Sequence, residues 1–146
     1  MTTHTFEPSA AQLDLFNQSW TRAWAALGLA VPAATVYEHV LEAYGEPQRH
    51  YHTLQHLSEA FAGLAPMLAH CQHPGAVELA MWFHDAVYDP KAKDNKKKSA
   101  SWASRVLREQ GASAEVIALV QQFIMDTQHH AQPQLPDSQI LVDVDL

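Results

Sequence analysis

Histidine or aspartate residues cluster at four places along this chain, each near a position where a helix is predicted to begin or end. The four groups are His52 with His56, His84 with Asp85, Asp126 with His129 and His130, and Asp143 with Asp145. Imidazole nitrogen beside carboxylate oxygen is a donor set that suits a divalent transition metal. These residue types therefore indicate metal-dependent chemistry.

The adjacent pair His84 and Asp85 lies in a strongly apolar stretch, residues 80–89. Its apolar residues fall on every side of a helical wheel, so the stretch is predicted to be buried. An ionised carboxylate in such surroundings is costly unless something compensates its charge, and a bound cation is a common solution. Asp89, four residues further on, is a candidate catalytic residue. The alternative is that His84 and Asp85 only hydrogen-bond each other near a helix end.

The histidines of the other groups also allow two interpretations. His52 and His56 are four residues apart and share a helix face, so one can bind a metal while the other donates a proton. A surface histidine pair has the same spacing. His129 and His130, which follow Asp126 at the end of an apolar helix, could bind a second metal or a phosphate, or could face solvent.

Five lysines follow the apolar stretch directly, and they are five of the nine basic residues of the chain. They are Lys91, Lys93, Lys96, Lys97 and Lys98. They could attract an anionic substrate, or they could form a solvated loop. The formal net charge of −7 argues against nucleic acid as a partner.

The elements that position these groups are predicted to be helices, because apolar residues recur at helical spacing between capping residues, glycines and prolines. The residues predicted to cap or begin the helices are Ser9, Pro32, Pro74, Asn95 or Ser99, Ser113, and Asp137 or Ser138. The predicted ends are Gly28, Gly45, Pro66, about Tyr88, and Gly111. Only residues 140–144 alternate in a way that would permit a strand. The pattern therefore predicts an all-α domain.

Length and composition fit one domain over residues 1–146, because 47% hydrophobic residues suffice for a single core. No run approaches the roughly 18 apolar residues of a membrane span, so we expect no membrane partner. The N-terminal segment is too polar for a signal peptide. Cys71 is the sole cysteine, which favours a reducing, cytoplasmic location.

The ordered motifs of the chain resemble the HD superfamily of metal-dependent phosphohydrolases, and most closely its predicted members of uncharacterised substrate. The resemblance rests on RHYHTLQHL, AMWFHDAVYDP, the DN…SA run at residues 94–100, DTQHH and LVDVDL. YHTLQH is also similar to the YHNxxH motif of cyclic-nucleotide phosphodiesterases. The resemblance implies an HD-domain bundle of about six to seven helices.

The resemblance also implies roles for individual residues. His56, His84 and Asp85 match metal ligands, Asp145 matches the closing ligand better than Asp143 does, and His52 matches the proton-donating histidine. The cofactor implied is one divalent metal ion, which could be Mn, Co, Ni, Fe, Mg or Zn. The ligand implied is a small phosphorylated substrate, with a nucleotide as one option. Further candidates for binding the substrate or a second metal are His129, His130, Asp126, Lys93 and Arg49.

The chain departs from the family pattern in two places. The family has an acidic residue after the asparagine of the DN…SA run, where this chain has Lys96, Lys97 and Lys98. The sequence also stops on the closing motif, whereas relatives continue for several helices, so we expect a truncated or divergent form. Two alternatives stay open: a mixed-valent di-iron oxygenase of HD type, and a non-catalytic metal- or ligand-binding module. A homodimer is a possible assembly for any of these functions.

Overall fold

The structure is a computed structural model that describes residues 8–46, 49, 53–128 and 132–145. Within these ranges the regular elements are all helical, which confirms the predicted all-α class. The α-helices are α1 (Ala10–Ala26), α2 (Ala34–Tyr44), α3 (Leu54–Leu64), α4 (Pro74–Phe83), α5 (Asn95–Glu109), α6 (Ala114–Asp126) and α7 (Pro136–Asp145). A 3-10 helix, Ala65–His70, continues α3. None of the helices described is both long enough and apolar enough to cross a bilayer.

Several helix ends lie where local sequence signals predicted them. Ser9 caps α1 in a reciprocal capping box with Gln12, and Ser113 caps α6 by accepting a hydrogen bond from a backbone amide one turn on. Gly28 and Gly111 end α1 and α5 with φ of 71° and 82°. Only glycine adopts such values without steric cost, which explains why these helices stop there.

Helix α4 forms the centre of the bundle. Each of its residues from Gly75 to Phe83 is buried, as the apolar helical wheel predicted. Helices α1, α3, α5, α6 and α7 all pack against α4. The one charged side chain in this span, that of Glu78, accepts hydrogen bonds from Arg22 and Ser19 of α1. The end of α4 therefore lies inside the bundle, where neighbouring helices can place side chains around it.

The C-terminal end of α4 corrects one prediction, because the helix stops at Phe83 and not near Tyr88. The backbone beyond it is bound by side chains from elsewhere in the chain. The Tyr44 hydroxyl donates to the carbonyl of Trp82 and accepts from the amide of Asp85. The guanidinium of Arg49 donates to the carbonyls of Asp85 and Ala86. These bonds replace the helical ladder, so the chain turns out of the helix at His84.

Three predicted starts also need correction. Helix α2 begins at Ala34 and not at Pro32. Helix α5 begins at Asn95 with Asp94 at its N-cap, so neither Asn95 nor Ser99 has that role. Their side chains instead bind the loop that precedes α5: Asn95 bonds the backbone of Asp89, and Ser99 bonds the backbone of Val87.

Helix α7 begins at Pro136 and includes residues 140–144, so the possible strand there is not formed. Asp137 does not cap its own helix. Its two carboxylate oxygens accept hydrogen bonds from the backbone amides of Gln72 and His73, just before α4, at 2.8 and 2.7 Å. Ser138 donates to the carboxylate of Asp126 at 2.7 Å. The start of α7 is therefore tied to both α4 and α6.

Candidate metal centre

Four side chains from three helices meet at one end of the bundle. His56 comes from α3, His84 and Asp85 follow α4 directly, and Asp145 is the last residue of α7. Asp145 Oδ1 lies 2.9 Å from Nε2 of His84 and 3.2 Å from Nε2 of His56. Asp85 Oδ2 lies 3.0 Å from Nε2 of His84. The structure therefore brings together residues that are 89 positions apart in the sequence.

The ring of His84 is fixed by the backbone of its own helix. Nδ1 lies 2.6 Å from the carbonyl oxygen of Met81, which can only accept, so Nδ1 carries a hydrogen and donates it. Nε2 then points at the carboxylates of Asp85 and Asp145. Histidines that bind metals usually donate their second ring hydrogen to a carbonyl or carboxylate in this way. The orientation of His84 is thus that of a metal ligand.

The carboxylates favour the charged form of both histidines. Burial alone would lower the pKa of His84, but the charge of Asp85 and hydrogen bonds to Asp145 and Asp85 outweigh it and raise this pKa to about 9. The hydrogen bond to Asp145 raises the pKa of His56. Burial alone would raise the pKa of Asp145, but the two histidines lower it well below its ordinary value. The group therefore attracts positive charge, whether a proton or a metal ion.

These donors fit a divalent ion. One ligand atom each from His84, Asp85 and Asp145 lies within 4.8 Å of the others, and this is the one such group of three or more in the part of the chain that the structure describes. His56 joins the group through its contact with Asp145. Two imidazoles and two carboxylates suit Mn, Fe, Co, Ni or Zn, with positions left for water and substrate.

Lys96, in the first turn of α5, contacts the same group. Its Nζ lies 2.8 Å from Oδ1 of Asp85 and 3.1 Å from the carbonyl oxygen of His84. The sequence indicated a basic run at this point but not that one lysine pairs with the aspartate of the His-Asp motif.

Arg49 lies beside the centre and binds the backbone that carries Asp85. Its side chain is fully buried and holds the backbone carbonyls of Asp85 and Ala86. The ring faces of Tyr44 and Tyr88 lie 5.1 and 5.6 Å from its guanidinium carbon. The guanidinium therefore helps to position the chain that carries Asp85. That Arg49 binds substrate or a second metal stays a prediction.

For three further candidates, the contacts within the described residues are with side chains and backbone outside the four residues of the centre. The Asp89 carboxylate is exposed and accepts from the amide of Lys91, and its predicted catalytic role stays a prediction. Asp126 accepts hydrogen bonds from Gln122 and Ser138 where α6 meets α7. Lys93 is exposed on the loop before α5. The remaining candidates, His52, His129 and His130, lie outside the described residues.

Sequence reasoning missed two groups that shape the centre. Tyr44 was not among the candidate residues, yet its hydroxyl bonds the backbone on both sides of His84 at the end of α4. Asp137 was predicted to cap α7, yet it binds the backbone before α4. A buried tyrosine and an acidic residue at a helix start were the only local signals, and neither specifies a distant partner.

Comparison with known proteins adds no assignment. No protein-family model, curated protein or solved structure matches this chain. The functional interpretation therefore depends on the geometry of the centre and on the chemistry of its residues.

Proposed function

We propose that this chain is a metal-dependent phosphohydrolase acting on a small phosphorylated molecule, with nucleotides as one candidate class. His56, His84, Asp85 and Asp145 would hold one divalent ion. The observation that carries the proposal is the meeting of these four side chains from three helices around Nε2 of His84 and Oδ1 of Asp145. A divalent ion supplies a water of lowered pKa and neutralises charge on a phosphoryl group.

The exposure of the four residues suggests the direction from which substrate approaches. The side chains of His84 and Asp85 are 0% and 8% exposed, whereas those of His56 and Asp145 are 34% and 20% exposed. The buried pair therefore forms the floor of the centre and the other pair its rim. A phosphate group would reach the centre from the side of α3 and α7.

The chain's own residues have distinct tasks in this proposal. Met81 fixes the tautomer of His84 through its carbonyl, and Arg49 and Tyr44 hold the turn that presents Asp85. His52 is the candidate proton donor to the leaving oxygen, a role that follows from the family resemblance and from an imidazole pKa near neutrality.

A non-catalytic metal- or ligand-binding module is the second candidate, and one observation favours it. The ammonium of Lys96 already neutralises part of the charge of Asp85, at 2.8 Å. A centre that binds a metal or ligand without turning over substrate would be compatible with a lysine paired to one of its carboxylates. Measurement of turnover separates the two functions.

The decisive experiment is a phosphoester screen with Mn²⁺, Co²⁺, Ni²⁺, Fe²⁺, Mg²⁺ and Zn²⁺ in turn. We expect hydrolysis that requires one of these ions, and we expect Asp85→Ala to lose both bound metal and activity. The matched control is Asp143→Ala, because Asp143 is an exposed aspartate of α7. Stoichiometric metal without turnover on the whole panel would favour the non-catalytic module.

Two histidine variants then separate metal binding from proton transfer. His56→Ala should lose metal and activity together. His52→Ala should keep the metal and lose hydrolysis by roughly 10²–10⁴-fold, the usual contribution of a general acid. The loss should be smallest for nitrophenyl esters, since that leaving group needs little protonation. Loss of metal from His52→Ala would mean that this histidine is a ligand.

A further inference from the structure

We propose that Lys96 acts as a fixed second cation that restricts the centre to a single divalent metal ion. The inference rests on the metal centre of the proposed function but not on its hydrolytic chemistry. It assigns a role to the residue type by which this chain departs most clearly from the family pattern.

The two oxygens of Asp85 face different positive groups. Oδ2 lies 3.0 Å from Nε2 of His84, on the side of Asp145 and the metal ligands. Oδ1 lies 2.8 Å from Nζ of Lys96. A carboxylate that bridges two metal ions needs one oxygen for each ion. Here the ammonium of Lys96 has the position that a second ion on Oδ1 would need.

Lys96 is held in this position, in contrast to the lysines that follow it. Its side chain is 17% exposed, and its Nζ also donates to the carbonyl of His84 at 3.1 Å. Lys97 is exposed. The Lys98 side chain is 58% exposed and lies 3.7 Å from Asp94 on the same helix. Of these three consecutive lysines, Lys96 is the one that faces the centre.

The charges of the centre favour one ion in the presence of Lys96. Asp85 and Asp145 contribute two negative charges, and the ammonium cancels one of them. Paired catalytic metals lie about 3.5–4 Å apart. A second divalent ion would therefore meet repulsion from the first ion and from Lys96 at short range. A glutamate at position 96 would reverse this balance by adding a ligand and removing the cation.

The test measures metal stoichiometry, not activity. We would saturate the wild type, Lys96→Glu and Lys98→Glu with Mn²⁺, remove free ion by gel filtration, and measure manganese per chain. We expect one ion in the wild type, two in Lys96→Glu, and one in Lys98→Glu, which makes the same charge change outside the centre. Electron paramagnetic resonance should show spin-coupled manganese only in Lys96→Glu. Two ions in the wild type, or one in a folded Lys96→Glu, would overturn the inference.

A second variant keeps the inference testable if Lys96→Glu does not fold. Lys96→Met keeps an unbranched side chain that is one atom shorter and removes its charge. We expect Lys96→Met to bind one Mn²⁺ per chain, about tenfold more tightly than the wild type does. The reason is that a nearby positive charge opposes cation binding, and one close charge changes the proton affinity of a neighbouring group by about tenfold or more. Weaker binding would show that Lys96 only supports Asp85, and would overturn the inference. Absence of bound metal from the wild type and all variants would instead overturn the centre itself.

Discussion

Asp145 connects two histidines that no local feature of the sequence links. Its Oδ1 accepts from Nε2 of both His56 and His84, and its pKa is held well below the ordinary value by these contacts. Asp143, two residues earlier, is exposed. Residues two apart on a helix point about 200° away from each other, so only one of the two can face the centre.

The first prediction is that Asp145→Asn weakens Mn²⁺ binding far more than Asp143→Asn. An amide cannot supply the negative charge that the ion and both histidines require, so we expect a loss of affinity of at least roughly tenfold for Asp145→Asn, the lower end for groups that support a metal site. Asp143→Asn should bind as the wild type does. Isothermal titration measures both, and the reverse ranking would place the ligand at Asp143.

The second prediction is that metal affinity rises with pH. In the metal-free protein the pKa of His84 is about 9, so its ring carries a second proton at neutral pH, and the raised pKa of His56 favours the protonated form of that ring as well. Metal must displace these protons, because imidazole binds metal only in its neutral form. We expect the association constant for Mn²⁺ to rise steadily from pH 6 towards pH 9, up to tenfold per unit for each proton released. Titration in buffers of different ionisation enthalpy counts the protons.

The metal-free protein should show the opposite trend. A histidine whose pKa is raised on folding stabilises the fold below its unfolded pKa, near 6.5, and loses this contribution as pH rises through its folded pKa. For His84 this window lies between about pH 6.5 and 9. With chelator present, the melting temperature of the wild type should therefore fall across this range.

A metal affinity that does not depend on pH would contradict the second prediction, because it would show that the rings of His56 and His84 are not ligands.

At the scale of elements, helix α7 positions Asp145 at its C-terminal end, while contacts of Asp137 and Ser138 hold its N-terminal end. The buried carboxylate of Asp137 binds the backbone amides of Gln72 and His73, and Ser138 binds Asp126. Helices α3 and α7 lie close together at Gly63, where a Cβ would make an ordinary van der Waals contact, at 3.4 Å, with Cγ1 of Val144. The position of Asp145 thus depends on contacts at both ends of α7.

The third prediction concerns this anchor. Asp137→Ala should remove the partner of two backbone amides whose hydrogen bonds are part-buried. The cost is at most about 1–3 kcal/mol for each unsatisfied group. We expect a clear fall in the free energy of unfolding, measured with denaturant. We also expect Mn²⁺ affinity to fall by less than in Asp145→Asn, because α7 loses its anchor but keeps its ligand. Unchanged stability would mean that water replaces the carboxylate without cost.

The accuracy of the sequence predictions followed the range of the interactions that determine each feature. Ser9, Gly28, Gly111 and Ser113 act within one helix turn, and the structure confirms these ends. The end of α4 was predicted several residues too late because it is set by Tyr44, whose hydroxyl bonds the backbone beyond Trp82. No periodicity in the segment itself contains that information.

The residues of the candidate site likewise include some that the sequence identified and one, Lys96, that it did not. The family resemblance selected His56, His84, Asp85 and Asp145, and the structure places these residues together. The resemblance could not select Lys96, because three consecutive lysines look equivalent in a sequence. Which of them faces inward depends on where α5 begins, and the sequence left Asn95 and Ser99 open as its cap, whereas the N-cap is Asp94.

At the scale of the whole molecule, a metal ion in this centre would join helices that are distant in the sequence. His56 belongs to α3, His84 and Asp85 follow α4, and Asp145 ends α7. Helix α4 already packs against both α3 and α7 in the core. Since the unfolded chain does not hold these ligands together, bound metal stabilises the folded state specifically.

The last prediction is that metal controls the stability of the entire fold. An ion present at 100 times its dissociation constant stabilises the folded state by about 2.7 kcal/mol. For a chain of 146 residues this corresponds to roughly 5–10 °C in melting temperature. We expect excess chelator to lower the melting temperature of the wild type by about this amount, followed by circular dichroism at 222 nm, and re-addition of Mn²⁺ to restore it. Asp85→Ala should melt at the same temperature with and without chelator, because it lacks a ligand at the buried floor of the centre. A chelator effect of equal size in Asp85→Ala would place the stabilising metal elsewhere in the molecule.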